Sequence, residues 1–227
     1  MDTINPNLII FLGCLIPGLM TGLGALPIFA TKNVSQGLLD TLLGSAAGVM
    51  LAATCFSLIM PSIEYGGGSL QAVLITSLGL FLGAYLIDLV DRYAPHEHLI
   101  DKKVEGKNTD SLKQIWLFII AITIHNFPEG LAVALSLVRE RYSTKKAFLI
   151  ALLTGLVEPI GAFLGVFLVQ VFQPILPFIL ALAGGAMLFV ISDEIIPETH
   201  SNGYERQATY GIIIGFIVMM ILDVTLG

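Results

Sequence analysis

The chain has 227 residues, a net charge of −6, 56% hydrophobic and 12% charged residues, and a mean hydropathy of +0.87. Soluble domains carry about 25% charged residues, so a soluble globule is excluded, because so few charges could not coat its surface. No basic face suggests a nucleic-acid partner.

Long uncharged runs point to a lipid bilayer. No charge lies between Asp2 and Lys32, Asp40 and Glu64, Glu64 and Asp88, or Glu158 and Asp193. Each run holds the ~20 apolar residues that cross a membrane. In chain order the pattern predicts seven apolar helices at 8–30, 38–63, 69–91, 114–138, 147–170, 175–196 and 208–226. Continuous runs, rather than ten-residue alternation, argue against barrel strands. The expected fold is therefore an all-α polytopic integral membrane protein, with 1–227 a single transmembrane domain. The first run follows MDTINPNLII, which has no positive n-region and no small-residue cleavage site, and it reads as a retained span. Cys14 and Cys55 fall inside spans, outside any CxxC, and read as packing residues. Gly44, Ala47 and Gly48, and the Gly161-x-x-x-Gly165 spacing, suit close helix contact.

Two connections carry most of the positive charge. The hydrophilic stretch 91–113 holds Arg92, Lys102, Lys103, Lys107 and Lys113, and 139–146 holds Arg139, Arg141, Lys145 and Lys146. Short basic loops stay cytoplasmic, so 91–113 is expected to be a cytoplasmic loop. The single helix 114–138 would nevertheless put the two basic loops on opposite sides. Its 25 residues cannot supply two spans at 1.5 Å rise per residue. One translocated loop, a re-entrant segment or a missing span would each resolve the conflict.

Ionisable groups within spans are costly and are functional hypotheses by default. His125, Asn126 and Glu129 lie in IHNFPEGL in the fourth run, and Glu158 lies in GLVEPIGA in the fifth. His125 and Glu129, spaced i, i+4, share a helix face. Imidazole nitrogen and carboxylate oxygen together suit zinc and its divalent neighbours. Pro128 and Pro159 each remove a backbone N–H and free a carbonyl one turn earlier. Freed backbone at membrane depth needs protein or a water-lined path beside it. Two carboxylates, each beside a proline break, describe a cation path. Asp193, Glu194, Glu198 and His200 close the sixth run and are candidates for its mouth, against the plainer reading of a solvated helix end. His96 and His98, in PHEH, form an adaptable ligand pair at best, and a solvated loop often carries His.

HNFPEG at 125–130 followed by GLVEPIGA at 155–162 resembles the ZIP (Zrt-, Irt-like) divalent metal transporter family, in particular its bacterial ZupT-like branch. DRYAPHEH at 91–98 and SDEIIPETH at 192–200 agree with that branch, so the resemblance covers nearly the whole chain. It implies an eight-span, all-helical, homodimeric carrier in the bacterial cytoplasmic (inner) membrane. It further implies a two-metal centre, in which His125 and Glu129 ligate one ion and Asn126 and Glu158 contribute to its neighbour. The family carries an HNxPEG-like motif twice, on its fourth and fifth helices, and here it occurs once. WLFIIAITIHNFPEG resembles the family's fourth helix, and EGLAVALSLVRERYSTKKAFL the end of its fifth. The chain thus reads as if one span had been lost between two similar motifs. One His and two carboxylates still suffice for an open three-ligand site.

The expected function is transport of Zn2+, with Fe2+, Mn2+ and Cd2+ as related cargo, into the cytosol by alternating access. The metal is substrate rather than cofactor, and its binding would require neutral His125. Two other readings compete. A non-transporting deletion remnant would leave loop 139–146 on the wrong side. An intramembrane metalloenzyme would need a base directly after the metal-binding His, as in HExxH; position 126 is Asn, HExxH is absent, and an enzyme is not expected.

Overall fold

Backbone polar groups in a bilayer must be satisfied within their own segment, so uncharged runs of this length fold as helices. The computed structural model describes residues 6–30, 34–93, 126–127, 129–135, 137–138, 141–172 and 175–226. Helix α1 spans Pro6–Ala25 and runs into a 3-10 turn, Leu26–Phe29. Helix α2 spans Gln36–Tyr65 and α3 spans Leu70–Tyr93. Helix α4 is helical at every described position from 126 to 138. Helices α5, α6 and α7 span Thr144–Phe172, Leu176–Thr199 and Glu205–Leu226. The described residues contain no strand, and five of their helices are long and apolar enough to cross a membrane. Six of the seven helices anticipated from hydropathy end within a few residues of these bounds, and the stretch 114–125 lies outside the described residues.

Local chemistry sets several ends. Ser35 caps α2 by accepting the Leu38 N–H at 3.3 Å. Gly67 and Gly68, at φ +86° and +65°, make the turn into α3, a conformation L side chains resist. Two π turns interrupt the α geometry, Thr54–Ile59 within α2 and Ile191–Ile195 within α6. Such bulges are frequent at functional sites.

The helices pack as three pairs, α1 with α5, α2 with α7 and α3 with α6. In lipid, helix association depends on close backbone approach, and glycines supply it. A Cβ on Gly44 would meet the Ala208 backbone and one on Gly48 that of Ile212, while Gly211 faces Thr41 and Gly215 faces Ser45. Both numbers rise together, so α2 and α7 run parallel. Gly79 faces Phe178 and Ala181 and Gly83 faces Leu182 and Ala186, so α3 and α6 are parallel too. By contrast Phe11 contacts Phe163, Gly18 contacts Gly155 and Phe29 contacts Phe148, so α1 and α5 are antiparallel. A buried cluster including Ile28, Leu39, Leu43, Leu131, Leu135 and Ala151 joins α1, α2, α4 and α5. Ser62 ties a second junction, donating to the Pro177 carbonyl at 2.7 Å and lying 2.7 Å from the Thr76 hydroxyl.

These directions bear on the conflict between the two basic connections and the single helix 114–138. The end of α3 and the start of α5 lie on the same face of the bundle, so the two basic connections are not on opposite sides. The reason is packing: the glycine contacts fix α6 and α7 parallel to α3 and α2, and α5 must then start where α3 ends. Arg92, Arg141, Lys145, Lys146 and Arg206, all at the ends of α3 and α4 or the starts of α5 and α7, fall on that one face.

Candidate metal site

The site is built where α1, α4 and α5 meet. Asn126 on α4 is fully buried and Glu158 on α5 is 6% exposed. The Asn126 amide donates one proton to Glu158 Oε2 at 2.7 Å and the other to the Pro17 carbonyl of α1 at 2.9 Å. Both donors are therefore used, while Asn126 Oδ1 has no hydrogen-bond partner. A buried acceptor left unmatched costs roughly 1–3 kcal/mol, which a cation or a water would recover. An amide oxygen and a carboxylate lie together in this buried junction, and oxygen donors of this kind are the chemistry that hard divalent cations take.

Proline interrupts two of the three walls. Pro17 lies within α1 and Pro159 within α5, each removing an intrahelical N–H near the middle of its helix. Close packing holds the walls together. A Cβ on Gly18 would strike the Gly155 carbonyl and lie 2.9 Å from the Pro159 ring, and one on Gly130 would strike the Thr21 backbone.

Of the residues singled out from sequence, the structure brings Asn126 and Glu158 together across 32 positions of chain. Glu129 is half-buried on α4, one turn beyond Asn126. His125, His96 and His98 lie outside the described residues. At the end of α6, Asp193 is exposed and Glu194 half-buried, both within its π turn, and Glu198 is exposed beyond it. His200 is engaged at both ring nitrogens, Nδ1 against the Ile196 carbonyl at 2.9 Å and Nε2 against the Thr209 hydroxyl at 3.0 Å. Among the described residues no three His, Cys, Asp or Glu side chains converge on one point. Sequence reasoning overlooked α1 altogether: Pro17 supplies a hydrogen-bond acceptor to Asn126, and Thr21 is buried one turn later. A proline within an apolar run, followed at i+4 by a hydroxyl, was the available signal. It also overlooked Asp40 of α2, fully buried, whose Oδ1 accepts from Gln36 at 2.7 Å and from Asn202, beyond α6, at 3.3 Å.

Comparison with known proteins gives a consistent picture. A family model described as "ZIP Zinc transporter" matches residues 105–223. The chain is 37% identical to the zinc transporter GufA of Myxococcus xanthus, over 94% of this chain and 97% of that protein. It is 38% identical to the zinc transporter ZIPB of Bordetella bronchiseptica, over 91% and 78% respectively. With the zinc transporter ZupT of Chlorobaculum parvum the identity is 32%, over 91% and 93%. The alignment with GufA runs over 247 positions, yet 94% of 227 residues is about 213, so roughly 34 positions have no residue here. The alignment with ZIPB, over 242 positions and 91% of the chain, leaves about 35.

Proposed function

This chain belongs to the ZIP zinc transporter family, and from that premise we propose that it carries Zn2+ through the α1–α4–α5 junction into the cytosol. It is a multi-pass helical membrane protein that transports divalent metal and is not an enzyme; zinc is its cargo and not a cofactor. In our reading Asn126 Oδ1 and Glu158 hold the ion, with His125 and Glu129 completing the set from α4. Fe2+, Mn2+ and Cd2+ are accepted by the same nitrogen and oxygen donors.

One observation carries this assignment: a fully buried amide spends both protons on Glu158 and Pro17 and presents its oxygen unmatched. A purely structural hydrogen bond would be made as well by a side chain with no spare acceptor. Transport then requires the junction to open first to one face and then to the other, with α1, α4 and α5 moving as a unit against α2, α3, α6 and α7. The seams within the α2–α7 and α3–α6 pairs are backbone-tight, which favours sliding between groups over repacking within them. A homodimer in the bilayer would provide the fixed partner for such a slide.

Uptake of radioactive zinc into cells expressing this chain, beside Asn126→Ala, Glu158→Ala and His125→Ala, tests the reading. Zinc uptake at least tenfold above background, lost in all three variants, is the expected result. Uptake unchanged in the variants would remove the site from the path. The roughly 34 positions absent relative to GufA favour a second reading, a chain that has kept the fold but lost transport. It predicts no uptake from protein that is demonstrably in the membrane.

A further inference from the structure

Thr21 of α1 departs from a pattern that several other threonines of this chain follow. Within helices a Thr hydroxyl usually donates to the carbonyl four residues earlier. Thr41 does so to Gly37 at 2.6 Å, Thr54 to Met50 at 2.8 Å and Thr209 to Glu205 at 2.8 Å. Thr21 is 2% exposed, and its Oγ1 has no hydrogen-bond partner. The carbonyl it would take belongs to Pro17, and the Asn126 amide occupies that carbonyl at 2.9 Å.

Its place on α1 and two contacts set Thr21 one helical turn from the Asn126–Glu158 pair. It lies one turn beyond Pro17 on α1. Gly130, one turn beyond Asn126 on α4, abuts its backbone. A Cβ on Gly155, one turn before Glu158 on α5, would lie 2.6 Å from Thr21 Cβ and 3.0 Å from its Oγ1. Each neighbour is thus one turn from a residue of the Asn126–Glu158–Pro17 triangle. Two buried oxygens with no partner, Thr21 Oγ1 and Asn126 Oδ1, occur in this one junction.

We propose that the Thr21 hydroxyl is a neutral oxygen ligand, direct or through one water, to the cation held by Asn126 and Glu158, and that it sets the preference among metals. This rests on the Asn126–Glu158 site assigned above. A neutral hydroxyl favours harder ions such as Mn2+, whereas softer Cd2+ relies more on nitrogen and sulfur. α1 then takes part in binding as well as in walling the path.

The test is equilibrium binding of Mn2+ and of Cd2+ to the purified full-length chain in detergent, with two substitutions at position 21. Thr21→Val keeps the shape and removes the oxygen. It should weaken Mn2+ binding about tenfold and Cd2+ binding less than threefold. Thr21→Cys replaces the hydroxyl with a soft ligand and should tighten Cd2+ binding about tenfold while weakening Mn2+. A Cd2+ gain that disappears when Glu158→Ala is added places the new thiolate at the site rather than on an unfolded chain. Equal losses for both metals in Thr21→Val, no change in it, or no Cd2+ gain in Thr21→Cys would each overturn the proposal. Failure of the site itself looks different: binding to the parent chain would then be indifferent to Asn126→Ala and Glu158→Ala. A parent chain that bound neither metal would overturn both.

Discussion

Glu158 has two separable properties, an acceptor atom that Asn126 uses at 2.7 Å and a negative charge. Glu158→Gln keeps an amide oxygen for the Asn126 proton and removes the charge. Hydrogen bonds to neutral acceptors are weaker than those to carboxylates, but the net loss is about 1 kcal/mol. The variant should therefore unfold in detergent close to the parent, while its zinc affinity falls at least tenfold. Matched thermal unfolding and zinc titration check this, and an affinity equal to that of the parent would assign Glu158 to structure alone. Asn126 and Glu158 were legible in the sequence as costly polar groups inside apolar runs. Their contact was not, because the 31 intervening residues carry no periodic signal for a pairing between helices. Thr21 and Pro17 escaped for a different reason. A lone Thr or Pro in an apolar helix is unremarkable until its i−4 carbonyl is seen to be taken by another helix.

Gly184 and Gly185 are neighbours on α6 with the same helical backbone and opposite surroundings. A Cβ on Gly185 would strike the Leu80 carbonyl of α3, whereas one on Gly184 would lie 3.3 Å from the Leu80 Cδ2 methyl. Replacing a helical Gly by Ala gains up to ~1 kcal/mol of helix propensity, and overpacking against rigid backbone costs about 1–3 kcal/mol. Gly184→Ala should thus be neutral or stabilising, and Gly185→Ala destabilising by about 1–2 kcal/mol as α3 and α6 are forced apart. Denaturant unfolding of the two variants side by side measures the difference, and equal stabilities would show the seam to be compliant. The helices themselves were readable from hydropathy because each apolar run is bounded by charge. Their pairing was not, since glycine seams such as Gly44 and Gly48 with Ala208 and Ile212 look in sequence like any other small-residue spacing. The π turns were also invisible, because Thr54–Ile59 and Ile191–Ile195 differ from α-helix only in hydrogen-bond register.

At the scale of the whole molecule, charge and packing agree on topology. The parallel α2–α7 and α3–α6 pairs and the antiparallel α1–α5 pair place the ends of α1, α3 and α6 and the starts of α2, α5 and α7 on one face. Every Lys and Arg among the described residues lies on that face, which the positive-inside preference assigns to the cytosol. The chain between α3 and α5 therefore leaves and returns to the same side, which a single span cannot do. Bacterial relatives align over about 34 further positions, enough for one span and a short connection. The tertiary contacts of α5, α6 and α7 thus keep the start of α5 on the face where α3 ends, although this chain is shorter than those relatives. Arg92→Cys and Lys145→Cys, each made in a chain with Cys14 and Cys55 changed to Ala, should both resist a membrane-impermeant maleimide in intact cells. Tyr65→Cys, at the opposite end of α2, should react. Labelling of Lys145→Cys but not Arg92→Cys from outside would show that the shorter connection inverts the later helices. The α1–α5 wall of the proposed metal site could not then form, because α5 would run parallel to α1 and Glu158 would be carried away from Pro17 and Asn126.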